Sequence, residues 1–114
     1  MGHDRNILDA IGNTSMVSLN RVVPRGRGTV YAKLEWENPT GSMTDRAAEA
    51  MISIALGDGR LKPGFTVVEY TGGSTGISLA LACLAKGLGL RIVTSDAFSG
   101  DKRNQMEAMG ARLT

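Results

Sequence analysis

The sequence predicts an α/β fold built on a doubly wound parallel sheet, in three layers of helix, sheet and helix. Three observations point there. From Phe65 onward the apolar segments run strand, helix, strand, helix, strand, an order that implies parallel pairing with right-handed crossovers. A glycine-rich turn, Thr71-Gly-Gly-Ser-Thr-Gly76, joins the first of those strands to its helix. The 15 glycines fall between periodic segments rather than inside them, so they read as punctuation.

In chain order, Ile7 to Ile11 reads as a short helical turn ended by Gly12-Asn13. Met16 to Val22 and Thr29 to Trp36 alternate or run apolar, and Pro24-Arg-Gly-Arg-Gly28 between them is turn chemistry, which predicts a hairpin-like strand pair. Ser42-Met-Thr-Asp45 has the form of a capping box with Ser42 as cap, placing a helix start at Ser42 or Met43. Ala47, Ala50, Met51, Ile54 and Ala55 follow at helical spacing, and Gly57-Asp-Gly59 ends the run. Phe65 to Tyr70 has the pattern of a buried strand. The helix after the glycine-rich turn, from about Thr75 to Lys86, is apolar nearly all round and predicts deep burial. Leu90 to Ser95 reads as a second buried strand, Gly100 to Gly110 as a third helix, and Ala111 to Thr114 as a strand just beginning. Two regions are expected: an arm and strand pair over 1–39, and a small α/β domain over 40–114 that is incomplete.

Composition narrows the function classes. A hydrophobic fraction of 42% with 21% charged residues suits a globular chain. Net charge is only +2 and the longest basic run is Lys102-Arg103, too little for a nucleic-acid or acidic-membrane partner. The apolar stretch Ile77 to Ala85 is too short to span a bilayer. The N-terminus, with the single histidine His3, lacks the apolar core of a signal peptide and reads as a mobile leader. Cytoplasmic localisation is the expectation, and the one cysteine, Cys83, fits a reducing compartment. One His and one Cys give neither a catalytic pair nor a transition-metal site, so no metal is expected. Any chemistry here comes from a cofactor or from residues outside this chain.

Two loops could carry it. In Asn38-Pro-Thr-Gly-Ser-Met-Thr-Asp-Arg46, Thr44 falls in the first turn of a helix, where free N–H groups and the dipole favour anions. A purely structural reading is open as well, with Ser42 as cap, Asp45 suiting the dipole and Arg46 as a solvated charge. In Thr71 to Gly76, glycines let backbone N–H groups approach an anion at a helix N-terminus, at the carboxyl end of a strand. A tight turn without a ligand is the alternative. Cys83 reads as a small core residue, and Lys86, Lys102 and Arg103 as solvated.

These segments resemble the cysteine synthase and cystathionine β-synthase family of pyridoxal-phosphate enzymes. Asn38 to Arg46 is similar to that family's Asn-Pro-Thr-Gly-Ser-x-Lys-Asp-Arg, whose lysine holds the cofactor as a Schiff base. Ile11-Gly-Asn-Thr-Ser-Met-Val17 resembles Ile-Gly-Asn-Thr-Pro-Leu-Val, and Val67 to Ile77 resembles the loop usually written Thr-Ser-Gly-Asn-Thr-Gly. Lys102 to Gly110 also follows the family pattern. The resemblance implies the N-terminal part of a two-domain tryptophan-synthase-β-like fold. It implies pyridoxal phosphate as cofactor, a small amino-acid substrate, β-replacement on an activated serine by a sulfide nucleophile, and a homodimer for the full-length protein. By position, Thr71, Gly72, Gly73 and Thr75 correspond to the substrate-carboxylate loop and Ser74 to the residue facing the cofactor ring.

The departures bear on activity. The Schiff-base lysine position holds Thr44, Gly72 stands for the usual Ser, and Ser74 for the usual Asn. A hydroxyl cannot condense with an aldehyde, so catalytic function at position 44 is expected to be lost. Two other classes stay open. One is a short-chain dehydrogenase-like nicotinamide site, with Asp96 placed 20 residues after Gly76 as the ribose-binding acid. The 70 residues ahead of the turn and Ser78 in place of a last glycine weigh against it. The other is a non-catalytic domain that binds a partner.

Overall fold

In the computed structural model residues 6–114 are described; the leader expectation for His3 lies outside them. A single 3₁₀ turn, Ile7–Ala10, opens the described chain, capped by Asn6, whose side chain accepts from Leu8 N while Asp9 answers to the Asn6 backbone. Strands β1 (Met16–Ser18) and β2 (Tyr31–Lys33) then pair antiparallel, with Val17 opposite Ala32. The hairpin is as expected in kind but only three residues long on each side. Arg21 to Thr29 carries Pro24, Gly26 and Gly28, the two glycines at φ 80° and 100°, and cannot continue a ladder.

Helix α1 spans Thr44–Gly57. It begins after the Ser42 or Met43 start that the capping-box pattern predicts, and its cap residue is Met43, with no side-chain cap bond. The reason is tertiary: Asp45, which a capping box would turn back to the Ser42 N–H, is buried and bonded to Thr40 and Ser78 instead. Strand β3 (Thr66–Tyr70), helix α2 (Ser74–Lys86), strand β4 (Gly89–Val93), helix α3 (Gly100–Ala108) and strand β5 (Arg112–Leu113) complete the order. The sheet is parallel, β3-β4-β5, with Val68 opposite Arg91 and Ile92 opposite Leu113. Thus the chain is α/β, a parallel sheet flanked by helices, as the element order predicts.

Helix α2 lies between β4 and α1 and touches α3. That explains its composition: Ile77, Leu79, Ala80, Ala82 and Cys83 are all buried, on more than one face. Small residues let the neighbouring elements approach closely. It stops at Gly87, in the left-handed region at φ 68°, with the Leu88 N–H returned to the Cys83 carbonyl. Leu90 and Ile92 of β4 point into this layer, while Arg91 and Val93 alternate to the other face and are exposed. Strand β3, expected to be buried, is not: Val68 is 61% and Tyr70 66% exposed. Those two side chains sit on a sheet edge and on the face opposite the core, where nothing in the described residues covers them, while Val67 on the other face is half-buried against the core. The core is aliphatic, with Met106 its one methionine, and no aromatic side chain is fully buried.

Candidate functional site

The first loop singled out in the sequence bonds helix α2 at Ser78, two residues past the glycine-rich turn. Asp45, 1% exposed, accepts from Thr40 N at 2.8 Å, from the Thr40 hydroxyl at 2.5 Å and from the Ser78 hydroxyl at 2.6 Å. Since the Ser78 proton goes to Asp45, its oxygen is left to accept from Thr44, 2.8 Å away. Thr44 Oγ1 in turn accepts from Ser42 Oγ at 2.7 Å, and Thr44 N donates to that same Ser42 oxygen at 3.1 Å. The hydroxyls therefore run in one direction, from Ser42 through Thr44 and Ser78 to the carboxylate. This chain stitches the first turn of α1 to the second turn of α2 and sets the two helix N-termini side by side.

Chemically, the network binds and orients. Position 44 offers a hydroxyl already committed as donor and acceptor, and no amine. The four lysines lie elsewhere: the Lys33 ammonium bonds the Thr14 carbonyl and, at 2.6 Å, its hydroxyl, and Lys62, Lys86 and Lys102 are exposed and join no bond of this network.

The Thr71–Gly76 turn follows β3 directly. Thr71 Oγ1 accepts from Gly73 N at 3.3 Å, and Gly73 is the extended cap residue ahead of Ser74, where α2 begins. Ser74 and Thr75 are the first two residues of α2, so their N–H groups have no partner in the preceding helical turn. Gly72 is buried beneath the ring of Phe98. Asp96, the candidate ribose acid of the dehydrogenase reading, is instead paired with Arg103 at 2.9 Å.

A second polar cluster braces the site from behind. Arg46 grips Glu35 with two bonds, Nε to Oε2 at 2.9 Å and Nη2 to Oε1 at 3.0 Å, and Thr14 donates to the same carboxylate at 2.7 Å. Those bonds, Arg46 foremost and Thr14 next, hold the Glu35 carboxyl down at about 2. Asn38, 3% exposed, accepts from Gly12 N and donates to the Glu35 carbonyl and carboxylate. Arg46 is therefore not a solvated charge: it ties the 38–46 loop to the segment before β1. Sequence reasoning missed Glu35, Asn38 and Ser78 as site residues. Ser78 carried a signal, as a lone hydroxyl inside an otherwise apolar helix. Glu35 and Arg46 carried only opposite charge, which many pairs share.

With this geometry in view, comparison with known proteins is specific. Residues 7–114 match the family model described as pyridoxal-phosphate dependent enzyme. The cysteine synthase of Staphylococcus aureus (strain Mu50 / ATCC 700699) is 46% identical over 108 residues, covering 95% of this chain and 35% of the relative. The crystal structure of O-acetylserine sulfhydrylase isoform 3 from Entamoeba histolytica superposes with a TM-score of 0.90 at 37% identity, over 100% of this chain and 36% of that one. A lysine-to-alanine mutant of O-ureido-L-serine synthase, solved with O-ureido-L-serine bound, has a TM-score of 0.87 at 41% identity, over 96% of this chain and 34% of that one. The chain thus spans about a third of the length of the relatives it matches. Among the described residues no helix is long and apolar enough to cross a membrane.

Proposed function

The chain belongs to the pyridoxal-phosphate-dependent enzyme family, and we propose that it is the N-terminal portion of a cysteine-synthase-like protein that holds the carboxylate of a small amino-acid substrate. The reaction of the whole protein on this reading is β-replacement on an activated serine such as O-acetylserine, with a sulfide nucleophile. The observation that carries it is the 2.8 Å bond between Thr44 and Ser78, which fixes the lysine-position loop to the helix that opens from the glycine-rich turn. Thr71, Gly72, Gly73 and Thr75 line the carboxylate, and the Ser74 hydroxyl faces the cofactor ring. We place the protein in the cytoplasm, as a homodimer at full length, with residues 1–39 as an arm against a larger domain and 40–114 as the small domain.

The residues present do not fit a covalently anchored pyridoxal phosphate. The hydroxyl at position 44 is closed into the network, and no lysine replaces it. No reaction step through the cofactor is therefore assigned to this chain, and catalysis is absent from it on this reading. Binding is a separate matter. The amino acid held by the lysine-to-alanine mutant of O-ureido-L-serine synthase supports a site of this build that holds substrate without the amine.

The test is titration of the isotope-labelled chain with acetate, followed by amide shifts. A backbone N–H on a charged acceptor contributes about 1.5–3 kcal/mol and a helix terminus about 0.3–1 kcal/mol. Ordering of the turn offsets much of this, so the expected Kd is of the order of millimolar. Shifts at Gly73, Ser74 and Thr75 are expected. Shifts confined to remote Lys and Arg amides would leave the turn merely structural.

A further inference from the structure

Phe98 stands directly over the turn. A Cβ built on Gly72 would lie 1.9 Å from Phe98 Cγ and 2.1 and 2.4 Å from its Cδ atoms, so the root of the ring occupies the space a side chain at position 72 would need. Gly72 is buried although its neighbours Thr71 and Gly73 are half-exposed, and it lies just past β3, a strand that is itself exposed. The ring is what this backbone packs against.

The loop that carries Phe98 is braced. Phe98 N donates to the Ser95 carbonyl at 3.2 Å, and Ala97 N donates to Ser95 Oγ at 3.2 Å, closing a tight turn between β4 and α3. The Asp96–Arg103 pair at 2.9 Å ties that turn to the first turn of α3. Phe98 itself is only half-buried, so its outer face meets solvent. A bulky side chain on a braced loop, seated on a glycine that has no side chain to resist it, has the form of a cover.

We propose that Phe98 is a steric gate on the glycine-rich turn: seated on Gly72 it withholds that residue's backbone from a carboxylate, and lifting it opens the turn. The inference rests on the turn being the carboxylate holder. It makes Phe98 a residue that sets what the turn can admit, with Gly72 as its seat and Asp96–Arg103 as its stay. A carboxylate reaching the turn with the gate seated meets the N–H groups of Gly73, Ser74 and Thr75 first.

Amide exchange and acetate titration of the labelled 114-residue chain test it, in wild type, Phe98→Ala, Phe98→Leu and Gly72→Ala. Phe98→Ala is expected to speed exchange of the Gly72 amide at least tenfold, to bring Gly72 into the set of shifted amides, and to tighten acetate binding about threefold or more. Phe98→Leu keeps a cover on Gly72 and should bind within twofold of wild type. Gly72→Ala must displace the ring, so it should release the Ser95–Ser99 amides as Phe98→Ala does, and adding Phe98→Ala to it should release them no further. A folded Phe98→Ala chain whose turn amides shift with acetate at the wild-type Kd overturns the gate while leaving the carboxylate reading in place. Absence of turn shifts in every variant overturns the carboxylate reading, and the gate falls with it. Equal tightening in Phe98→Ala and Phe98→Leu also overturns it, since bulk is then not what closes the turn.

Discussion

Replacing Asp45 with alanine tests whether the buried carboxylate holds the two helix N-termini together. Three donors converge on Asp45, and the removal affects them unequally. The Ser78 hydroxyl, in a residue 2% exposed, is left as a buried donor without its acceptor, at a cost of about 1–3 kcal/mol. The Thr40 N–H and hydroxyl are half-exposed and regain water, so each loses only the net value of a bond, about 0.5–1.5 kcal/mol. Relief from burying the carboxylate offsets part of the total, which leaves an expected loss of about 2–4 kcal/mol. Ser78→Ala keeps both Thr40 donors on Asp45 and should lose about 1 kcal/mol. The double variant removes the orphaned hydroxyl along with its acceptor. It should therefore be less destabilised than the sum of the single changes, by about 0.5–1.5 kcal/mol. Urea unfolding followed by far-ultraviolet circular dichroism measures all three. A loss below about 1 kcal/mol for Asp45→Ala, or strict additivity in the double variant, would refute the reasoning.

Two pH-dependent outcomes follow from groups outside that network. Glu35 is held at about 2 in the folded chain against an ordinary value of 4.5. Below 4.5 the unfolded chain takes up a proton that the folded one refuses, so the stabilisation is present above pH 4.5 and is lost as pH falls toward 2. Glu35→Gln should flatten acid unfolding over that window, and an unchanged acid limb would count against the Arg46–Glu35 brace. Burial pushes the Cys83 thiol up to about 11 from 9.0. Between those values the unfolded chain releases a proton that the folded one keeps, so stability falls as pH rises from 9 to 11. Cys83→Ala should lessen that fall. In the native chain, labelling of the single cysteine by a thiol reagent at neutral pH should wait on unfolding, and rapid labelling without denaturant would contradict its burial.

How much of this was legible beforehand depended on whether the cause was local. Glycine placement and apolar periodicity are properties of short segments. They located α2 and its Gly87 stop to within a residue, and they paired β3 with β4 in parallel. The four family-like segments likewise identified the pyridoxal-phosphate family. Burial of a strand was not local. Val68 and Tyr70 are apolar and strand-forming, but whether they are covered depends on which elements pack over that sheet face.

The start of α1 shows the same division within four residues. Ser42-Met-Thr-Asp45 determines, by itself, that a helix begins nearby, because those side chains can bond the free N–H groups of a first turn. Which bonds form was decided by donors outside the capping box: Thr40 ahead of the helix, and Ser78, 33 residues away, which offers Asp45 a buried hydroxyl. A donor held in place by a packed helix has already lost its freedom, so together with Thr40 it outcompetes the Ser42 N–H. For the same reason the pairing of Gly72 with Phe98 was invisible in sequence. The absence of a side chain at 72 has a meaning only once the fold has set a ring above it.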